Sequence, residues 1–116
     1  YEWSLFNNEK TPFFIHIPIS EPMYLAGIWK YTDFRKNDKK VFTIITKKAN
    51  ENLNKIHNRM PVVLSVEEGE EYIDDEKSSF LKANFLSNIE SELDFYPVSK
   101  FVNNPLNNSQ ECIKTI

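Results

Sequence analysis

Lys10-Thr11-Pro12-Phe13-Phe14-Ile15-His16-Ile17-Pro18 is the stretch on which the fold turns. Its centre is aromatic and β-branched, which suits a pleated strand, and Pro18 ends it because proline cannot donate to a ladder. Beyond the turn residues Ser20-Glu21-Pro22, a second strand runs from Met23 to Trp29, where Gly27 permits a bulge or a close approach of another backbone. A charged loop from Asp33 to Lys40 leads to a third, Val41-Phe42-Thr43-Ile44-Ile45-Thr46. Three strands in succession with short polar links predict an antiparallel meander rather than βαβ units.

Helical signals follow. Asn50 to Ile56 forms a short turn with Leu53 and Ile56 on one face. After a brief strand, Val62-Val63-Leu64, the run Ser65-Val66-Glu67-Glu68 is a capping box, and the acids of that first turn suit the helix dipole. A second helix is expected over about Ser79 to Ile89, with Leu81, Phe85 and Ile89 on a core-facing stripe. Phe95-Tyr96-Pro97-Val98-Ser99 reads as another strand, and the asparagines at 103, 104, 107 and 108 are turn chemistry. With only two Gly in the chain, Asn is the main residue left for positive φ. The class is α+β, mainly antiparallel, with short helices.

A length of 116 residues, 41% of them apolar and 14% aromatic, allows one domain with a modest core. No apolar run approaches the roughly 18 residues of a membrane span. Tyr1-Glu2-Trp3-Ser4 has neither the basic flank nor the apolar core of a signal peptide, and without an initiator Met it reads as part of a longer chain. Cys112 is the only cysteine, so a reducing cytoplasm is the natural setting and a small buried hydrophobe its natural role.

The net charge of −3 hides an asymmetry. Residues 27–60 hold nine Lys or Arg against three acids, +6, whereas residues 67–94 hold ten acids against two Lys, −8. The basic block suits a nucleic-acid backbone, and equally suits a solvated face. There is no Gly-rich phosphate loop, zinc spacing or nucleophile elbow, so neither cofactor nor metal is expected.

Three short stretches hold the candidate chemistry. In Tyr1-Glu2-Trp3 a carboxylate stands between two aromatics, where desolvation favours an acid-base role; alternatively Glu2 is an exposed strand residue. Trp3 suits stacking on an unpaired base, or filling core. Ile56-His57-Asn58-Arg59-Met60-Pro61 sets an imidazole and a guanidinium at a corner, aimed either into a cleft or at the last carbonyls of a helical turn. His16 reads as a surface or packing residue.

In order, these segments resemble the SOS response-associated peptidase (SRAP) family. Tyr1-Glu2-Trp3 is similar to its Phe-Tyr-Glu-Trp signature, Lys10 to Ile15 to its Lys-x-Pro-Tyr-Phe-Ile strand, and Ala26-Gly27-Ile28-Trp29 to its Ala-Gly-Leu-Trp strand. Phe42 to Thr46 with Ala49-Asn50 resembles Phe-Thr-Ile-Ile-Thr-x-x-Ala-Asn. Ile56 to Pro61 resembles Ile-His-x-Arg-Met-Pro, and Pro97-Val98-Ser99 through Val102-Asn103 resembles Pro-Val-Ser-x-x-Val-Asn.

The resemblance implies an α+β fold on a barrel-like antiparallel sheet, with a basic groove for single-stranded DNA. It implies a DNA-damage enzyme, of peptidase and lyase chemistry, that caps abasic sites. An N-terminal Cys, exposed by removal of the initiator Met, attacks the ring-opened sugar aldehyde with its α-amine, and its thiol closes a thiazolidine. An α-amine with a pKa of roughly 8 is partly neutral at pH 7 and therefore nucleophilic. By position, Glu2 and His57 are the catalytic acid-base pair, and Trp3, Thr46 and Arg59 face the DNA. The resemblance further implies a monomeric whole domain, cytoplasmic or at the nucleoid of a bacterium.

The family's first half, with its Cys, the Gly-Arg after it and a site Asn, has no counterpart here, and Cys112 is no substitute. Residues 1–116 are therefore expected to be the C-terminal half of one such domain, inactive and poorly soluble alone because strand edges stay unpaired. Two other readings stand beside this one: a non-catalytic module that binds single-stranded DNA, and an unrelated α+β protein in which Glu2 and His57 never meet.

Overall fold

Two adjacent asparagines fold the first hairpin. Asn7 and Asn8 sit at φ 51° and 64°, the two positive values that a two-residue I′ loop requires. They turn β1 (Glu2–Phe6) back antiparallel on β2 (Glu9–His16), with Glu2 opposite Phe13 and Trp3 opposite Pro12. β9 (Asp94–Pro97) pairs antiparallel with the other edge of β2, setting Tyr96 opposite Phe14. The sheet order is β1-β2-β9. The Phe13 strand is thus the centre of its own sheet and not the first strand of a meander, because its partners come from the two ends of the chain. The computed structural model describes residues 1–18, 22–32, 39–74 and 88–116.

The other strands form a three-way junction. β3 (Tyr24–Leu25) continues through Ala26 into β4 (Gly27–Tyr31), and β5 (Lys40–Ile44) continues through Ile45 into β6 (Thr46–Lys48). β7 (Arg59–Pro61) likewise continues through Val62 into β8 (Val63–Leu64). Each bent strand shares itself between the other two: β3 pairs with β8, β4 with β5, and β6 with β7, all antiparallel. Three backbone bonds of 2.9 Å close the centre. Ala26 N–H donates to the Val62 carbonyl, Val62 N–H to that of Ile45, and Ile45 N–H to that of Ala26. Gly27 follows at once, and a Cβ there would lie 2.9 Å from the Thr43 carbonyl oxygen, so the close backbone approach is real. The stretches 23–29 and 41–46 are therefore each two short strands, because Ala26 and Ile45 turn their ladders from one partner to another. The sheets are open, and no closed barrel exists among the described residues. The architecture is α+β as expected.

α1 (Val66–Ile73) starts at the capping box: Glu68 N–H donates to Ser65 Oγ, and the Glu68 carboxylate accepts from Ser65 N–H. Tyr72 on α1 donates its hydroxyl to the Gly27 carbonyl at 3.0 Å, tying the helix to the junction. One core cluster joins Ile17, Ala49, Leu53, Met60, Val63 and Leu93; a second joins Ala26, Val62 and Leu64. The short turn before His57 is a 3-10 helix, Leu53–Lys55, with Leu53 buried and Ile56 packed against the first cluster.

The helix expected over Ser79 to Ile89 lies outside the described residues as far as 87, as does the loop at 33–38. From Asn88 to Glu92 the chain is a 3-10 helix, and Ile89 packs on the first core cluster. Among the described residues no helix is long and apolar enough to cross a membrane.

Candidate functional site

β1 sets Glu2 and Trp3 on opposite faces of its sheet, because successive strand residues alternate. Glu2 is directed to the side of Phe13, Ile15 and the first core cluster, at the wall of a cleft of about 260 Å³ that Tyr1, Ile15, Leu53, Pro61 and Leu93 also line. Its side chain is 33% exposed, half-buried rather than sealed among rings.

His57 reaches the same place from another direction. Asn50 fixes the preceding turn: its Oδ1 accepts from Leu53 N–H at 2.9 Å, and its Nδ2 donates to the Glu90 carbonyl at 2.9 Å. His57 N–H then donates to the Leu53 carbonyl at 2.9 Å, closing the turn. The imidazole Nδ1 stands 3.9 Å from Glu2 Oε2. Residues far apart in sequence thus meet at ion-pair distance, beyond direct hydrogen-bond reach and within reach of one bridging water.

The backbone of Arg59 surrounds the same nitrogen. Arg59 N–H donates to His57 Nδ1 at 3.1 Å, and the Arg59 carbonyl oxygen lies 3.0 Å from that atom. A neutral ring with its proton on Nε2 accepts from the N–H, and a ring protonated at Nδ1 donates to the carbonyl. The imidazole therefore finds a partner in either protonation state without turning over. This geometry favours the cleft reading of the corner.

The guanidinium of Arg59 runs along the β6–β7 pair to Thr46. One terminal nitrogen donates to both the Thr46 carbonyl oxygen, at 2.7 Å, and its Oγ1, at 2.8 Å. Arg59 binds a strand carbonyl, not the end of the helical turn. Both ends of this contact are exposed, so the guanidinium edge is held in one orientation while facing solvent.

The basic block is partly consumed by the fold. Lys47 forms an ion pair with Glu90, a buried acid whose Oε1 has no hydrogen-bond partner among the described residues. Lys40 lies over the Trp29 ring, 5.0 Å from its centroid, and over that of Tyr31. Arg35 and Lys36 lie outside the described residues. His16 stacks on Phe14 and meets Tyr96 edge-on, the packing role expected for it. Cys112 is buried, with its thiol 3.5 Å from the Asn107 carbonyl oxygen. No cluster of three or more His, Cys, Asp or Glu capable of holding a metal occurs among the described residues.

Two long-range hydrogen bonds that the sequence did not reveal hold the front of β1. The Tyr1 hydroxyl donates to the Cys112 carbonyl at 3.3 Å; burial, then the nearby Cys112 and Tyr96, raise its pKa above 10.0, so it stays a donor. The Trp3 indole N–H donates to Asn103 Oδ1 at 2.9 Å. Asn103 was visible as turn chemistry and as the last residue of a motif. Nothing in its local sequence says that it touches the first strand.

Comparison with known proteins places these features in company. The model of the SOS response associated peptidase (SRAP) family matches residues 1–105. The abasic site processing protein YoqW of Bacillus subtilis is 33% identical, over 99% of this chain and 53% of its own length. The abasic site processing protein YedK of Escherichia coli is 29% identical, over all of this chain and 54% of its own. The abasic site processing protein YMR114C of Saccharomyces cerevisiae is 31% identical, over all of this chain and 33% of its own. A protein structure from Bacteroides thetaiotaomicron superposes with a TM-score of 0.80 at 25% identity, covering 99% of this chain and 52% of that one. The chain spans between a third and about half the length of these curated relatives.

Proposed function

The chain belongs to the SOS response associated peptidase family, and from that premise we propose that it is the C-terminal half of a domain that captures abasic sites in single-stranded DNA. The observation that carries this reading is the approach of His57 to Glu2 at 3.9 Å, between residues that each match a family motif. The nucleophile, an N-terminal Cys freed by removal of the initiator Met, lies outside these residues.

Capture needs protons moved at several points. Opening the sugar hemiacetal takes a proton from the C1′ hydroxyl and gives one to the ring oxygen. Amine attack on the resulting aldehyde yields a carbinolamine, which must lose water, protonated as it leaves, to form the imine. The thiol adds to that imine carbon, its proton passing to nitrogen, and closes the thiazolidine. No redox partner is required. A carboxylate and an imidazole beside one cleft suit such a sequence, since each can hand back the proton that the other releases. The twofold welcome that Arg59 gives Nδ1 supports His57 as the group that cycles.

Arg59, held by Thr46, is assigned to a phosphate of the strand, where a pre-oriented guanidinium loses little freedom on binding. Trp3 is assigned to stacking on a base. The intact protein is assigned as a monomer of the cytoplasm, at the nucleoid in a bacterium.

The test uses the intact protein that carries this chain, single-stranded DNA with one abasic site, and a denaturing gel. The parent is expected to give a covalent band, and Glu2→Gln and His57→Ala to form it about 10²- to 10⁴-fold more slowly, the usual contribution of a positioned acid-base group. Binding under native conditions with no covalent band from the parent would replace this reading with that of a non-catalytic DNA-binding module.

A further inference from the structure

Trp3 has a different neighbourhood from Glu2, although they are adjacent in sequence. Its ring is 38% exposed and tilted against Tyr1, with centroids 6.5 Å apart. Its indole N–H can only donate, and it does so to Asn103 Oδ1 at 2.9 Å. That bond is exposed, so it adds little to stability. What it does fix is the plane of the ring.

The far end of the bond is firmly seated. Asn103 closes the 3-10 helix Lys100–Asn103, whose first turn Ser99 caps by accepting from Phe101 N–H at 3.2 Å. Lys100 Nζ forms an ion pair with Glu9 Oε2 at 2.9 Å, joining this helix to β2. Val98 N–H donates to the Pro12 carbonyl at 2.9 Å, and Pro12 is the residue paired with Trp3. The helix bearing Asn103 and the strand bearing Trp3 are thus fixed to one buried point on β2.

We infer that Asn103 is a positioning residue for single-stranded DNA: it holds the Trp3 indole in the orientation in which a base stacks on it. The inference rests on the DNA-binding reading above and deepens it. An unrestrained indole at a sheet edge would have to be ordered as the base arrives, and that ordering weakens binding. Asn103 orders it beforehand. By the scale of one immobilised side chain, loss of the bond weakens binding about 3- to 10-fold.

The experiment compares the parent intact protein with Asn103→Ala, Trp3→Phe and the double variant. Affinity for a fluorescent single-stranded oligonucleotide without an abasic site is measured at one salt concentration. The Trp3 indole N–H resonance, assigned by its absence in Trp3→Phe, is followed in parallel. Asn103→Ala is expected to shift that resonance and to weaken binding about 3- to 10-fold, with the double variant binding no worse than Trp3→Phe. Unchanged affinity in Asn103→Ala, or losses that simply add in the double variant, would overturn the inference. A parent that binds no single-stranded DNA overturns the DNA reading itself, and this inference with it.

Discussion

Phe13 on β2 and Phe42 on β5 are both phenylalanines at the centre of antiparallel strands, yet one is 6% exposed and the other 77%. β2 has a hydrogen-bonded partner on each edge, and Phe13 meets Phe6 and Phe95 edge-on. Among the described residues β5 has one partner, β4, and every one of its own residues is exposed. On β4 the same holds for Ile28, Trp29 and Tyr31. The hairpin pairs only the inner edges of its two strands and leaves most of its side chains in water. A two-stranded hairpin alone is marginal in water, and an exposed apolar patch of this kind marks a surface that something covers. The Glu2–His57 site is built on the well-packed side of this contrast, which is why its geometry is legible within these residues.

The largest expected effect tests both sides at once. Leu53, 3% exposed beneath His57, should cost about 2–5 kcal/mol when changed to Ala, in the isolated chain and in the intact protein alike. Phe42→Ala should cost no more than about 0.5 kcal/mol in the isolated chain, as a surface change does. If the intact protein buries the hairpin, the same change there should cost about 3–5 kcal/mol. Urea midpoints of the four variants and their two parents decide it, and equal costs for Phe42→Ala in both backgrounds would end the half-domain reading.

Hydrogen exchange resolves the contrast strand by strand. In the isolated chain, amides of β4 and β5 should exchange at least about tenfold faster than those of β2, a gap of roughly 1.4 kcal/mol in opening free energy. In the intact protein the gap should close. Protection of β4 and β5 equal to that of β2 in the isolated chain would show that the hairpin needs no cover.

What the sequence made legible follows the same division. The capping box and the apolar face shared by Leu53 and Ile56 depend on residues near one another, so spacing reveals them, whereas the first hairpin was not anticipated. Asn7 and Asn8 adopt the positive φ that a chain with two Gly must find elsewhere. The junction was not legible, since Ala26 and Ile45 are as apolar as their neighbours and only the partner strands say where a ladder changes hands. Glu2, His57, Thr46 and Arg59 were legible as motif positions, but their distances were not, because three elements must close to bring Nδ1 to Oε2. Trp3 was expected beside Glu2 in sequence and stands across the sheet from it, its bond to Asn103 spanning nearly the whole chain.

The smallest effect belongs to a feature that should be indifferent to any cover. Ser65 Oγ accepts from Glu68 N–H at 3.2 Å and donates to Glu67 Oε2 at 3.0 Å, so Ser65→Ala removes two bonds at the start of α1. The expected loss is about 1 kcal/mol, in the isolated chain and the intact protein equally. Its pH dependence has a definite sign. Glu67 has its pKa lowered from 4.5, first by its own backbone N–H and then by the Ser65 hydroxyl. A carboxylate depressed in the folded state contributes stability above its unfolded value, and that contribution disappears as pH falls through the folded value. The gap between parent and Ser65→Ala in thermal midpoint should therefore be full near neutrality and narrow below about pH 4.5, where the unfolded carboxylate begins to take up its proton. A gap that widens on acidification would mean that Ser65 acts through something other than this cap. A gap that differs between the isolated chain and the intact protein would mean that α1, like the hairpin, depends on what lies beyond it.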